Sequence, residues 1–228
     1  NRSWDLTPPR SPFFRRPTTR MALVQMFTET LERAKEARAG LRPATLDLEA
    51  IGRVPAGELP LHVYTRTAFD LRALLDASAR AGVAPVIEGG IEVHRELGGI
   101  KARGLAVILT PEAFGAVGAL SGAQVRASLP ALLADSEVPF ALATAGFGLE
   151  PLDLGALAVR HGLAPDRALR ALTLAPARIL GIDGERGSIT AGAVADIVLL
   201  SGAPFAAGTL VVQVIGNGKL VFPKGGGR

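Results

Sequence analysis

Three histidines and no cysteine limit the chemistry open to this 228-residue chain. Without a thiol there is no cysteine nucleophile, thiolate metal site or disulfide framework, which fits a reducing compartment. The sequence has no G-x-S-x-G elbow and no phosphate-binding P-loop, and Gly98-Gly99 lacks the strand-to-helix setting of a dinucleotide site. What remains is imidazole and carboxylate. His94 falls on the first turn of an expected helix and His161 closes another beside Gly162, positions where a histidine is ordinarily solvated or at a helix end. His62, in PLHVYT, lies within an apolar run, where the plain reading is a buried histidine at a strand end.

The elements around these residues alternate. Val24, Phe27, Leu31 and Ala34 recur at helical spacing from Leu23 to Ala39, and Gly40 ends the pattern. A short helical stretch follows near Leu46 to Ile51. Leu59 to Tyr64 reads as a strand, and the amphipathic helix beginning at Phe69, Leu71, Leu74 and Leu75 closes at Gly82. Val83 to Glu88 and helix Glu92 to Ala102 form the next pair. Leu105 to Thr110 is a third strand with a helix within Gln124 to Leu133, and Phe140 to Thr144 is a fourth, with helices Leu154 to His161 and Pro165 to Leu174. Strands alternating with helices of this length predict a parallel sheet with right-handed crossovers.

Residues Leu172 to Leu200, LTLAPARILGIDGERGSITAGAVADIVLL, make a different transition. Pro176 must end one helix or open another, Gly181 is placed to cap the segment Ala177 to Leu180, and Gly184 and Gly187 bracket a turn. Ile197 to Leu200, Leu210 to Ile215 and Lys219 to Phe222 read as strands. The segment resembles the closing part of amidohydrolase-superfamily proteins, in which a T-x-N-P-A-x-x-L-G-like run leads through G-S-[IL]-x-x-G-x-x-A-D-[IL] into a small β-sandwich. It departs at Ala175, where the family usually has Asn, and at Ala193, where it often has Lys. Thr19-Arg20-Met21 similarly resembles the S-R-M entry to a barrel helix in the imidazolonepropionase-like branch.

The resemblance implies an α/β fold: the C-terminal half of a TIM-type (β/α)8 barrel, strands five to eight of the family, followed by strands of a small β-sandwich. The division expected is a basic arm over residues 1–20, barrel units over 21–181 and sandwich strands over 182–228. The family hydrolyses non-peptide C–N bonds with one or two divalent metals at the C-terminal mouth of the barrel, where metal activates a bound water. Its ligands come from an H-x-H on strand one, a Lys or carboxylate on strand four, His on strands five and six, and an Asp on strand eight that is also general base.

By that resemblance His62 occupies the strand-five position, but Gly89 stands at the strand-six His and Ala145 at the strand-eight Asp. Glu88 is the nearest replacement carboxylate, and with His62 it makes a two-residue site at most. No cofactor is therefore expected in this chain. The expected role is a metal-free, non-catalytic subunit or pseudoenzyme segment completing a partner. The alternative is the C-terminal part of an active enzyme, in which a zinc, iron or manganese ion takes its other ligands from another chain or segment.

Charge and hydropathy bound the partners. The chain is 48% hydrophobic with a mean hydropathy of +0.31, ample for a core. No apolar run approaches the roughly 20 residues of a membrane helix, so no membrane partner and a cytoplasmic location are expected. Against 25 basic and 21 acidic residues in all, residues 1–20 carry Arg2, Arg10, Arg15, Arg16 and Arg20 with one acid, Asp5. The remaining 208 residues are thus balanced at 20 and 20, and the pI of 10.1 belongs to a Pro- and Arg-rich arm expected to be extended. Nucleic acid is not expected as a partner. An open half-barrel exposes edge strands and inner faces, so the chain is expected to associate with a chain or fragment carrying the N-terminal half-barrel, or with itself.

Overall fold

A computed structural model describes residues 19–115, 123–146 and 148–223. The arm predicted over residues 1–20 lies outside this range up to residue 18. Tertiary contacts divide the chain into two compact units, residues 1–61 with 72–84 and residues 62–71 with 85–228.

In the first unit, helix α1 (Arg20–Arg38) begins where the Thr19 hydroxyl accepts the Ala22 N–H at 3.1 Å. Thr45 caps α2 (Leu46–Gly52) in the same way. Ala34 and Ala37 of α1 are buried with Leu48, and Ile51 packs against them. The helices approach closely there, with room for no more than a methyl group at Gly52, whose Cβ would stand 3.4 Å from the Ala34 carbonyl oxygen. Leu31 closes a second cluster with Val83 and Ala81, the last residue of α3 (Ala68–Ala81).

The second unit is built on a four-stranded sheet in the order β1 (Leu61–Thr65), β2 (Pro85–Gly89), β3 (Val107–Leu109), β4 (Phe140–Leu142). β2, β3 and β4 run parallel, aligning Ile87 with Val107 and Phe140, and Glu88 with Ile108 and Ala141. Helices α3, α4 (Leu97–Ala102), α5 (Leu129–Asp135) and α6 (Pro151–Arg160) follow the strands in turn, so these four βα units are part of a TIM-type barrel. The two faces of the sheet differ. Ile87, Val107 and Leu109 are fully buried, whereas His62, Glu88 and Ile108 on the other face are only partly covered.

Several element boundaries depart from the sequence reading. β1 lies two residues later than expected at its start. The helix expected over Glu92 to Ala102 splits into a 3-10 turn at Val93–Arg95 and the short α4. Its first residue is diverted: Glu92 binds backbone amides of two other segments, and Gly98-Gly99 adds little helix propensity. The predicted Pro165 to Leu174 helix ends earlier, as α7 (Pro165–Leu172), and the short segment expected over Ala177 to Leu180 begins earlier, as α8 (Leu174–Ile179), the two being separated at Thr173 with φ −127° and ψ −81°. Pro176 is the third residue of α8, where its missing N–H forfeits no intrahelical bond.

After the turns around Gly184 and Gly187, β5 (Ile197–Leu200), β6 (Val211–Gly216) and β7 (Lys219–Phe222) form an antiparallel sheet. Asn217-Gly218, both at positive φ, make the tight β6–β7 hairpin. The expected sandwich strands are present as this single sheet. Val198 and Leu199 on β5, Val211 and Val212 on β6, and Leu220 and Val221 on β7 are all substantially exposed. Because neighbours along a strand point to opposite faces, both faces of the sheet are apolar and open.

Candidate functional site

His62 and Glu88 project from adjacent strands, β1 and β2, onto the partly covered face. His62 Nδ1 lies 2.8 Å from Glu88 Oε1, and the two side chains are 26% and 38% exposed. The pairing commits one imidazole nitrogen to the carboxylate, and Nε2 has no hydrogen bond among the described residues.

One residue further along β2, Gly89 adopts φ +77°, and a Cβ there would stand 2.7 Å from Tyr64 Cε2 and 3.0 Å from the Thr65 carbonyl oxygen. No L-amino-acid side chain fits without displacing the Tyr64 ring. That ring is anchored, because its hydroxyl donates to Glu112 Oε2. Arg66 also donates to Glu112 and, at 3.1 Å, to the Tyr64 oxygen, with its guanidinium carbon 5.5 Å from the ring centroid. Glu112 is 4% exposed, and these two donors compensate its buried charge. Burial and the hydrogen bond to Glu112 raise the Tyr64 phenol above its ordinary range, so Tyr64 stays a neutral donor. The Arg66 guanidinium is pushed up through its contacts with Tyr64 and Glu112.

Glu92 is the second buried carboxylate of the region. Its two oxygens accept the Ala68 N–H at the start of α3 and the Gln124 N–H, each at 2.7 Å, tying together loops that follow β1 and β3. Burial alone would raise its pKa, but these two amides, together with the charges of Arg95 and His94, hold it below the usual range. The hydroxyls of Thr65 and Thr110, at the ends of β1 and β3, are buried without a hydrogen-bond partner among the described residues.

The other expected residues lie apart from this pair. His94 sits on the 3-10 turn, where burial and then Arg126 and Arg95 lower its pKa. His161 is the C-cap of α6 and faces Phe114, with ring centroids 6.3 Å apart. Ala145 lies in an exposed turn beyond β4 at φ +47°. Among the described residues, no group of three or more histidines and carboxylates converges at metal-binding distance. Sequence reasoning missed Tyr64, Arg66, Glu92 and Glu112. The only hint was the placement of Glu92 and Glu112 just beyond apolar strands.

Residues 75–221 match the amidohydrolase family model, and the chain belongs to that family. No curated protein matches it. Among solved structures, an amidohydrolase from Thermotoga maritima MSB8 is similar at a TM-score of 0.81 and 24% identity, over 90% of this chain and 57% of that one. An adenosine deaminase from Xanthomonas campestris with bound zinc is similar at 0.58 and 20%, over 83% and 55%. A Xaa-Pro dipeptidase with bound methionine gives 0.58 and 17%, over 76% and 47%. The likeness is one of fold, and this chain spans only about half the length of the chains it matches.

The residues present do not fit the divalent metal that the family implies. A catalytic site needs about three protein ligands and an open position. Here two side chains stand together, already bonded to each other, and the space a ligand at position 89 would need is filled by Tyr64.

Proposed function

We propose that this chain is a non-catalytic, metal-free half of an amidohydrolase fold, serving as a subunit or segment that completes a second polypeptide. The observation that carries the reading is Gly89, where the expected strand-six histidine is missing and Tyr64, locked to Glu112, has taken its space. Ala145 adds to it, since a methyl group in an exposed turn supplies neither ligand nor base. The face would then serve to hold the strands in register: Glu112 clamps β1 to the loop after β3, and Glu92 holds the start of α3. Elemental analysis after dialysis tests the proposal. Far less than one zinc, iron or manganese per chain is expected, and a stoichiometric ion would overturn it.

One observation favours a second reading. His62 and Glu88 are paired on a face open to another polypeptide, so an active metal-dependent amidohydrolase could draw its remaining ligands from a separate chain or segment. That reading requires metal to appear in a reconstituted complex and His62→Ala to lower its occupancy. Hydrolysis of a non-peptide C–N bond would then be its reaction class.

A further inference from the structure

The β6–β7 hairpin turns at Asn217-Gly218, where Asn217 has φ +50° and Gly218 φ +75°, and both residues are exposed. Asparagine occurs elsewhere only at position 1, and Asn217 alone is followed by glycine. A glycine in that place has no Cβ to shield its backbone nitrogen from the preceding side-chain amide. In the closed hairpin, however, that nitrogen is engaged. Gly218 N–H donates to the Ala195 carbonyl at 2.9 Å, and Asn217 N–H donates to Asp196 Oδ1 at 2.7 Å. Asp196 is itself held, since its Oδ2 accepts from Arg186. The segment leading into β5 thus clasps the turn, while the Asn217 side chain makes no hydrogen bond among the described residues.

We infer that Asn217 is a site of spontaneous deamidation, and that the Ala195-Asp196 segment holds the reaction back while the hairpin is closed. In the reaction the Gly218 nitrogen loses its proton and bonds to Asn217 Cγ. The Cγ–Nδ2 bond then breaks, and ammonia leaves with that proton, so a cyclic imide remains. Water opens the ring at either carbonyl carbon. Addition at Cγ restores the backbone and gives aspartate, whereas addition at the Asn217 backbone carbon routes the chain through Cγ and gives isoaspartate. Water is taken up and ammonia released, with no change in oxidation state. Gly218 N–H is not available for this step while it donates to Ala195, so the rate follows the population of the open hairpin. The consequence falls on β7. Either product adds a negative charge beside the Asp196 carboxylate, and isoaspartate also lengthens the backbone of a two-residue turn. Both changes weaken the pairing of Gly216 with Lys219 that the turn sets up. The inference does not rest on the half-fold reading, and none of the measurements below bears on metal or catalysis.

The test follows mass in the full chain at mildly alkaline pH, folded and, as reference, unfolded in guanidinium. Trypsin releases residues 187–219, and fragmentation should place the amide-to-acid mass gain at Asn217 rather than Gln213. Asp183-Gly184, which isomerises through the same imide, falls in residues 179–186 and changes no mass. The unfolded chain should convert at least about tenfold faster than the folded one, as a reaction confined to an open state requires. Asp196→Ala should speed conversion of the folded chain, with circular dichroism checking that the fold persists. Hydrogen exchange on the parent needs no variant and should show the Gly218 amide protected. Converted protein, separated by its added charge, should lose protection along β7. No conversion at Asn217 in the unfolded chain, equal rates folded and unfolded, or an unprotected Gly218 amide would each overturn the inference. So would a folded Asp196→Ala that converts no faster than the parent, or converted protein with β7 still fully protected.

Discussion

At the scale of residues, Gly89 lies against the Tyr64 ring that Glu112 anchors. Gly89→Ala should destabilise the protein by about 1–3 kcal/mol, read from the urea midpoint, because it adds left-handed strain to a contact with the anchored Tyr64 ring. Gly89→His should be at least as costly and should gain no metal while Tyr64 is present. Glu92 supplies a pH dependence. Its carboxyl is held below the ordinary glutamate range in the folded state, so the unfolded chain takes up the proton first as pH falls. Its stabilisation is complete above the unfolded value of roughly 4.3 and is lost as pH falls through the lower folded value. Glu92→Gln should therefore be less stable at neutral pH and should lose less on acidification than the parent, as measured by denaturation at pH 7 and pH 3. Thr110 gives the opposite case. Its buried hydroxyl has no partner among the described residues, so Thr110→Val should be neutral or stabilising in the same measurement.

At the scale of elements, two glycines within helices should respond in opposite directions. Alanine is better than glycine in a helix interior by up to about 1 kcal/mol. A methyl group added at Gly98 in α4 would meet nothing within 4 Å, so Gly98→Ala should raise the thermal midpoint. At Gly155 in α6 a Cβ would stand 2.3 Å from Phe205 Cε1 and 2.8 Å from Leu172 Cδ1. Overpacking of about 1–3 kcal/mol outweighs the propensity gain there, and Gly155→Ala should lower the midpoint. Helix α6 therefore needs a bare backbone where the β5–β6 connection carrying Phe205 crosses it.

At the scale of the whole molecule, the open surfaces decide how the chain behaves in solution. The β5–β7 sheet is apolar on both faces, and His62, Glu88 and Ile108 on one face of the β1–β4 sheet are only partly covered. Each Å² of apolar surface left wet forgoes about 25 cal/mol, so such surfaces favour association. Light scattering on the isolated chain should give a mass above 23.6 kDa at micromolar concentration, falling toward that value on dilution. A compact monomer throughout would show that these faces are tolerated. Introducing a charge by Leu220→Glu, at an exposed strand position, should weaken any association that uses the small sheet, and an unchanged mass would direct attention to the barrel strands instead.

The alternation of strand and helix, the family of the chain and the absence of a donor side chain at Gly89 and Ala145 are legible in the sequence, because periodicity, punctuating glycines and short motifs are local properties. Strand ends and the splitting of the Glu92 to Ala102 helix are not, the latter because Glu92 finds its partners in the Ala68 and Gln124 amides, 24 and 32 residues away. Nor is the contact of His62 with Glu88, 26 residues away, or the convergence of Tyr64 and Arg66 on Glu112, whose separations of 48 and 46 residues exceed any local pattern. Sequence alone determined that position 89 lacks a donor. Only the tertiary structure decided that it cannot regain one, because the side chain that excludes it comes from a neighbouring strand.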